Sequence, residues 1–256
     1  MIPVFIDLVV MDPAFPVPNA LGKGFRRITD SARAPTIPRR RNVSVADRRM
    51  PADRTGTYGR ESGIAALQTE VVPVLHGIDV SSHQTDFDTD EVDFVFIKAT
   101  EGRSYVNPKL DGQVKRAKDA GCVVGFYHFL WPGNAKAQAE YFVSHTPEKT
   151  GDLLAADWEQ TGDGTWASSE DKDRFIHEVK RLRPHYRVLL YCNRAYWRTH
   201  DTSSYAGDGL WIADYVTPGK PRVEAPWRIH QYTDRPLDKN VADFDSKQAM
   251  RDWAEA

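Results

Sequence analysis

Asp157 and Glu159 are the residues of this chain whose types and spacing speak most directly of chemistry. They end the stretch Leu153-Leu154-Ala155-Ala156-Asp157-Trp158-Glu159, a short apolar run with Thr150-Gly151-Asp152 before it and Gly162 after it. Such a run, bounded by turn residues, reads as a buried strand. Strand alternation puts both acids on one face, about 7 Å apart along the backbone. Crowding two carboxylates in an apolar setting costs several kcal/mol unless something compensates, so stability alone does not account for them. Paired acids aimed into one space suit acid/base work on a polar substrate.

The elements that must position this pair can be read along residues 76–256. His76–Ser81, Asp93–Ala99, Cys122–Phe129, Leu153–Trp158, Arg187–Asn193, Leu210–Tyr215 and Trp227–Tyr232 have strand character. Helices are expected over Pro108–Ala120 with Gly121 as the stop, over Asn134–His145 with Asn134 as cap, and from Ser168 to Leu182 with Pro184 just beyond. Strands alternating with helices imply a parallel sheet buried on both sides, and the thinning of helical text after Asn193 fits a barrel whose last strands have lost their helices. In such barrels chemistry collects at the carboxyl ends of the strands.

Those ends carry Asp79 with His83 nearby, Lys98 with Glu101, Tyr127-His128, Asp157 and Glu159, Tyr191 with Asn193, Asp214, and His230-Gln231. Tyr127, Trp131, Trp158, Tyr191, Trp211, Tyr215 and Trp227 are interleaved with them. Carboxylates among aromatic platforms are how proteins hold sugar rings, stacking on C–H faces and hydrogen-bonding the hydroxyls. The bland alternative makes these strand-end acids partners of Lys98 or Arg103. Trp166, Trp197 and Trp253 read as packing residues. His83, His128 and His230 fit no compact ligand spacing, so neither a metal nor a cofactor is expected.

Composition sets the frame. The 256 residues are 41% hydrophobic and 27% charged with a net charge of −2, ordinary for a soluble globular protein and no argument for nucleic acid. Cys122 and Cys192 lie in apolar runs and read as buried free thiols, a single bridge between them being the alternative. Residues 1–75 carry a net charge of +4 and eight of the 16 prolines, whereas residues 76–256 carry −6 and all seven tryptophans. A boundary near Val74 follows, with 1–75 expected to be a disordered basic, Pro-rich segment and 76–256 the working domain. The opening Met1–Met11 lacks a basic region before it and is broken by Pro3 and Asp7, so neither a signal peptide nor a membrane span is expected. The Arg39–Arg41 and Arg48-Arg49 clusters are expected to be solvated rather than a binding motif.

Six ordered motifs carry a resemblance to a known family. Gly77-Ile78-Asp79-Val80-Ser81-Ser82-His83-Gln84, Phe96-Ile97-Lys98-Ala99-Thr100-Glu101-Gly102, Gly125-Phe126-Tyr127-His128-Phe129, Asp157-Trp158-Glu159, Leu210-Trp211-Ile212-Ala213-Asp214-Tyr215, and Gln231-Tyr232 with Asp238 occur in that order. Together they resemble glycoside hydrolase family 25, the Chalaropsis-type lysozymes found among phage endolysins and bacterial autolysins. The resemblance covers about residues 76–252. It implies an α/β fold, a modified TIM-like (β/α)5(β)3 barrel of eight strands and five helices. It further implies an N-acetylmuramidase acting on peptidoglycan glycan strands at the β-1,4 bond between N-acetylmuramic acid and N-acetylglucosamine; a monomer is expected. By that resemblance Glu159 is the general acid, Asp157 the carboxylate two positions before it, Asp79 the first-strand acid, and Asp238 the last, with Asp243 and Asp245 nearby. Substrate contacts are expected from His83, Lys98, Glu101, Tyr127, Trp131, Tyr191, Trp211, Asp214 and Gln231.

In the resulting scheme Glu159 is protonated, its pKa raised toward ~6 by an ionised Asp157 and the wall of Trp158. Either Asp157 or Asp79 assists attack by the substrate's N-acetyl oxygen with retention, or a carboxylate activates water and inverts the anomer. The resemblance leans to retention. The rival of a different class is a peptidoglycan-binding barrel without turnover. With no leader expected, a phage enzyme would wait in the host cytoplasm for release to the wall; a bacterial one would act outside the cell.

Overall fold

The computed structural model describes residues 75–256. The expected disordered segment thus lies outside the described residues except for Leu75, which opens the first strand. The order is β1 (Leu75–Val80), β2 (Phe94–Glu101), a two-residue β3 (Tyr105–Val106), α1 (Leu110–Asp119), β4 (Val123–Phe129), α2 (Ala135–His145) and β5 (Leu153–Asp157). Then come α3 (Ser169–Leu182), β6 (Val188–Asn193), α4 (Arg194–Thr199), β7 (Gly209–Ala213), β8 (Ile229–Thr233), β9 (Lys239–Ala242) and α5 (Lys247–Glu255). Strands β1, β2, β4, β5, β6, β7 and β8 run parallel in that order. The reversed β9 pairs with both β8 and β1 and closes the barrel, while β3 is a short antiparallel return on β2.

Alternation along each strand sorts the side chains into two layers. Leu154, Ala156 and Trp158 face outward to pack with Phe175, Ile176 and Val179 of α3, whereas Leu153 and Ala155 face the barrel interior with Phe94, Phe96 and Trp211. Ring packing inside so narrow a barrel needs gaps opposite it. A Cβ on Gly77 would stand 2.2 Å from the Phe94 ring, and one on Gly125 2.4 Å from Phe96, so glycine is the residue that fits at both places. Interior positions change character toward the carboxyl ends: Phe94, Phe96, then Lys98 on β2; Leu153, Ala155, then Asp157 on β5; Ile229, then Gln231 on β8. At the lower end Met250 and Ala254 of α5 join the interior cluster, and the Arg187 and Arg228 guanidinium groups lie over Trp253.

Helix α3 shows how sequence fixes a supporting element. Ser168 accepts a hydrogen bond from Asp171 N, Glu170 and Asp171 occupy the first turn, and Lys180 and Arg181 the last, all complementing the helix dipole. Its inner face includes Lys172, wholly buried. The Lys172 ammonium meets Asp201 Oδ1 at 2.6 Å, the Tyr205 carbonyl at 2.8 Å and Ser203 Oγ at 3.2 Å, and sits 5.4 Å over the Trp158 ring. Removing one partner of a buried pair strands the other, which costs about 3–5 kcal/mol. Lys172→Met is therefore expected to lose that much in urea unfolding; a loss below 1 kcal/mol contradicts this reading of the pair.

Several expectations need correction. Asn134 stands before α2 in a left-handed conformation (φ 51°) and makes no capping bond with its side chain. Trp166 is 42% exposed and packs only at the surface, against the Tyr196 and His200 rings at 6.4 and 4.9 Å between centroids, whereas Trp158 is fully buried and donates to Ala167 O at 2.7 Å. Trp197 and Trp253 do pack against the core. The eight barrel strands and five helices agree with the barrel implied by the resemblance, but the residue pattern does not locate β3, β9, α4 or α5. Both cysteines are free and buried.

Candidate active site

Four acids converge at the carboxyl end of the barrel. Asp157 is the last residue of β5, and its flanking backbone is held between neighbours by Leu130 N→Asp157 O and Trp158 N→Tyr191 O, both 2.9 Å. With the Trp158 indole anchored outside, Glu159 emerges on the inner side of the turn that follows. Asp79 lies near the end of β1, and its N–H donates to Asp238 O at 3.2 Å, setting those two acids side by side. Asp79, Asp157, Glu159 and Asp238 line one cavity of about 190 Å³, walled by Tyr127, Tyr191, Trp211, Tyr215 and Gln231.

Among the described residues none of the four forms an ion pair, which removes the bland alternative. Lys98 pairs instead with Glu101 at 2.6 Å. Asp79 is fixed by a chain of directed bonds. Tyr191 and Tyr215 hydroxyls donate to Gln231 Oε1 at 3.1 and 3.2 Å, which turns Gln231 Nε2 toward Asp79 Oδ2 at 2.9 Å. Asn240 Nδ2 donates to the same oxygen at 2.7 Å while its Oδ1 accepts from the Trp211 indole at 2.7 Å. Asp157 is different: its buried Oδ1 has no hydrogen-bond partner among the described residues.

Burial drives the electrostatics. It pushes Asp79 up to about 6 against the two amide donors. It lifts Asp157 well above the usual carboxylate range, helped by the charges of Glu159 and Asp79. Glu159 rises to about 7, burial outweighing Lys98, and Asp238 to about 8 through burial beside Asp79 and Asp234. The expected cause of the Glu159 shift is corrected here: burial raises it, whereas Asp157 works against the rise. Asp157 is the less exposed of the two acids, and its hydrogen bond to Glu159 lowers the Glu159 pKa. The two titrate as a coupled pair. Tyr127 and Tyr191 are pushed well up by burial and nearby acids and remain phenol donors at neutral pH.

Lys98 is the cation that opposes these shifts at both Asp157 and Glu159. Its ammonium lies 4.8 Å over the Phe129 ring as well as on Glu101. Lys98→Met should raise the proton affinity of the pair, so the alkaline limb of activity, set near pH 7 by Glu159, moves upward. A limb that stays put or moves down in a pH–rate profile counts against the assignment.

The remaining expected site residues divide. Tyr127, Tyr191, Trp211 and Gln231 wall the small cavity, while Lys98, Glu101 and Trp131 line a neighbouring one of about 810 Å³. His83 is exposed on the loop after β1 and lines neither. Asp214 is corrected to a structural role: Arg222 binds its carboxylate at 2.6 and 3.0 Å, tying down the loop after β7. His128 and His230 are likewise structural. His128 contacts Thr100 Oγ1 and Gln138 Oε1, and His230 contacts Asp214 O and Gly219 N. Asn240 and Tyr215 belong to the site without having been chosen from the sequence. Tyr215 stood in the aromatic set, but Asn240 sits on a four-residue strand with no alternation to reveal it.

A closed barrel with unpaired acids crowded at its mouth between aromatic walls is the layout of an enzyme that hydrolyses glycosidic bonds. The family model described as Glycosyl hydrolases family 25 matches residues 78–241, and the chain belongs to that family of glycoside hydrolases. It is 30% identical over 154 residues to the N,O-diacetylmuramidase of Chalaropsis sp, covering 52% of this chain and 72% of that one. The autolytic lysozyme of Clostridium acetobutylicum is 28% identical over 170 residues, 62% of this chain and 51% of that one. Among solved structures, the muramidase from Acremonium alcalophilum superposes with a TM-score of 0.63 at 25% identity, covering 71% of this chain and 99% of that one.

Proposed function

We propose that the chain is a muramidase that cuts the β-1,4 bond between N-acetylmuramic acid and N-acetylglucosamine in peptidoglycan, with residues 76–256 as its catalytic domain. Similarity to a muramidase, an N,O-diacetylmuramidase and an autolytic lysozyme supports the substrate class. The observation that carries the site assignment is the one cavity lined by Asp79, Asp157, Glu159 and Asp238. At about 190 Å³ it falls below the ~300 Å³ of ordinary small-ligand pockets, so it admits the reacting ring while the strand runs on outside.

Glu159, raised to about 7, gives its proton to the glycosidic oxygen as the C1–O bond breaks. The orphaned Asp157 Oδ1 offers an acceptor to the substrate's acetamido N–H. That bond favours ionised Asp157, so substrate binding shifts the shared proton toward Glu159. The acetamido oxygen then bonds to C1 with retention, forming a cyclic oxazolinium whose positive charge Asp157 balances. Water next adds to C1, yields its proton to the Glu159 carboxylate and reopens the ring. Asp79, held ionised above about pH 6 by its amide donors, supplies negative charge beneath the reacting ring. The protein acts on the cell wall as a monomer, and among the described residues no helix is long and apolar enough to cross a membrane.

The test is product analysis after digestion of purified cell walls. New reducing N-acetylmuramic acid ends are expected. New free amines would instead mean an amidase or peptidase, and binding without new ends would mean a module that lacks turnover.

A further inference from the structure

We infer that the larger cavity beside the catalytic mouth receives a carboxylate-bearing peptide appended to the muramoyl ring, with Arg103 as the residue that reads the carboxylate. The inference rests on the muramidase reading and adds a specificity determinant to it. Lys98 lines this cavity while its charge reaches Asp157 and Glu159, so the two spaces are neighbours across one side chain. The volume of about 810 Å³ is several times that of the reaction cavity and within the range that holds an extended small ligand.

Charge decides what the occupant is. Glu101 is the one carboxylate among the described lining residues, and both its oxygens are spent, Oε2 on Lys98 at 2.6 Å and Oε1 on the Trp131 indole at 2.8 Å. Arg103 is exposed at the tip of the β2–β3 turn and has no ion pair among the described residues. The unspent charge of this cavity is therefore positive, a few residues from a mouth crowded with acids. An uncharged sugar gains only neutral-acceptor hydrogen bonds from that guanidinium. A carboxylate does, because the planar fork matches it bidentately. Ser104 and Tyr105 add hydroxyls, and Trp131 an apolar wall, for the amide backbone and side chains of a short peptide.

The experiment uses the full chain and two substrates: glycan strands bearing peptides with free carboxylates, and the same strands after carbodiimide amidation. The protein as it stands is expected to show kcat/KM about tenfold higher on the free carboxylates, in line with one charged hydrogen bond at an accessible rim. Arg103→Glu should abolish or reverse that preference while leaving turnover of amidated strands within twofold, and Arg103→Lys should keep part of it. Equal cleavage of both substrates by the unaltered protein, or an equal loss on both in Arg103→Glu, overturns the inference and leaves the muramidase reading intact. Calorimetric binding of soluble muropeptides is read separately. A tenfold preference for the free carboxylate without any cleavage upholds this site and sinks the activity instead, whereas equal binding of both forms sinks the site.

Discussion

Glu159→Gln is expected to lower kcat/KM on cell-wall substrate by about 1,000-fold, the middle of the range for losing a general acid. The amide keeps the shape of the side chain and can still meet Asp157, but it cannot supply a proton to the leaving oxygen. Burial that lifts this carboxyl to about 7 is what makes it an acid at neutral pH, so activity should fall as pH rises through about 7. It should also fall as pH drops through about 6, where Asp79 loses its charge. Circular dichroism and the thermal midpoint should stay close to those of the unaltered protein. Clearance of peptidoglycan within tenfold of normal would falsify the assignment.

Asp157→Asn is expected to cost about 100- to 1,000-fold in kcat, the usual penalty for losing a preorganised group that answers charge in the transition state. The same change should make the protein more stable, by about 1 kcal/mol at neutral pH, the scale seen when a strained functional residue is relieved. Each of the four acids binds its proton more tightly in the folded chain than in the unfolded one. Their contribution is thus favourable at low pH and is lost as pH rises through the folded-state values, so the crowd strains the fold at neutral pH. Asparagine removes the deepest of these acids, and with it the cost of either holding its proton or burying its charge, and can still donate to Glu159. Loss of activity joined to a higher thermal midpoint is the signature; a lower midpoint with activity retained would make Asp157 a structural residue.

Much of this was legible in the sequence because barrel strands announce themselves. Phe94–Ile97, Leu153–Ala156 and Val188–Leu190 are buried on both faces and read as unbroken apolar runs. Their polar ends stand out against such runs, which is why Asp79, Asp157 and Glu159 could be picked out before any coordinates. Strand β9 could not, since its four residues begin with Lys239 and Asn240 and pair in reverse across the seam. Helix α4 was hidden for a different reason: Asn193 ends β6 and also caps the helix through Tyr196 N at 2.9 Å, leaving no loop to mark the change. The partner of Asp214 is Arg222, eight residues on in an irregular loop, and no periodicity points to it. Nor does a residue list say which of two adjacent acids is the deeper, or that a hydrogen bond from Asp157 lowers the Glu159 pKa rather than raising it.

The central claim is that burial beside other acids keeps Glu159 protonated near neutrality. A carboxyl ¹³C NMR titration of labelled protein measures this directly, with the Glu159 signal identified by its absence from Glu159→Gln. A midpoint near 7 is predicted. A midpoint close to 4.5, the value of an ordinary glutamate, would contradict the account, because the group asked to deliver the proton would have none to give.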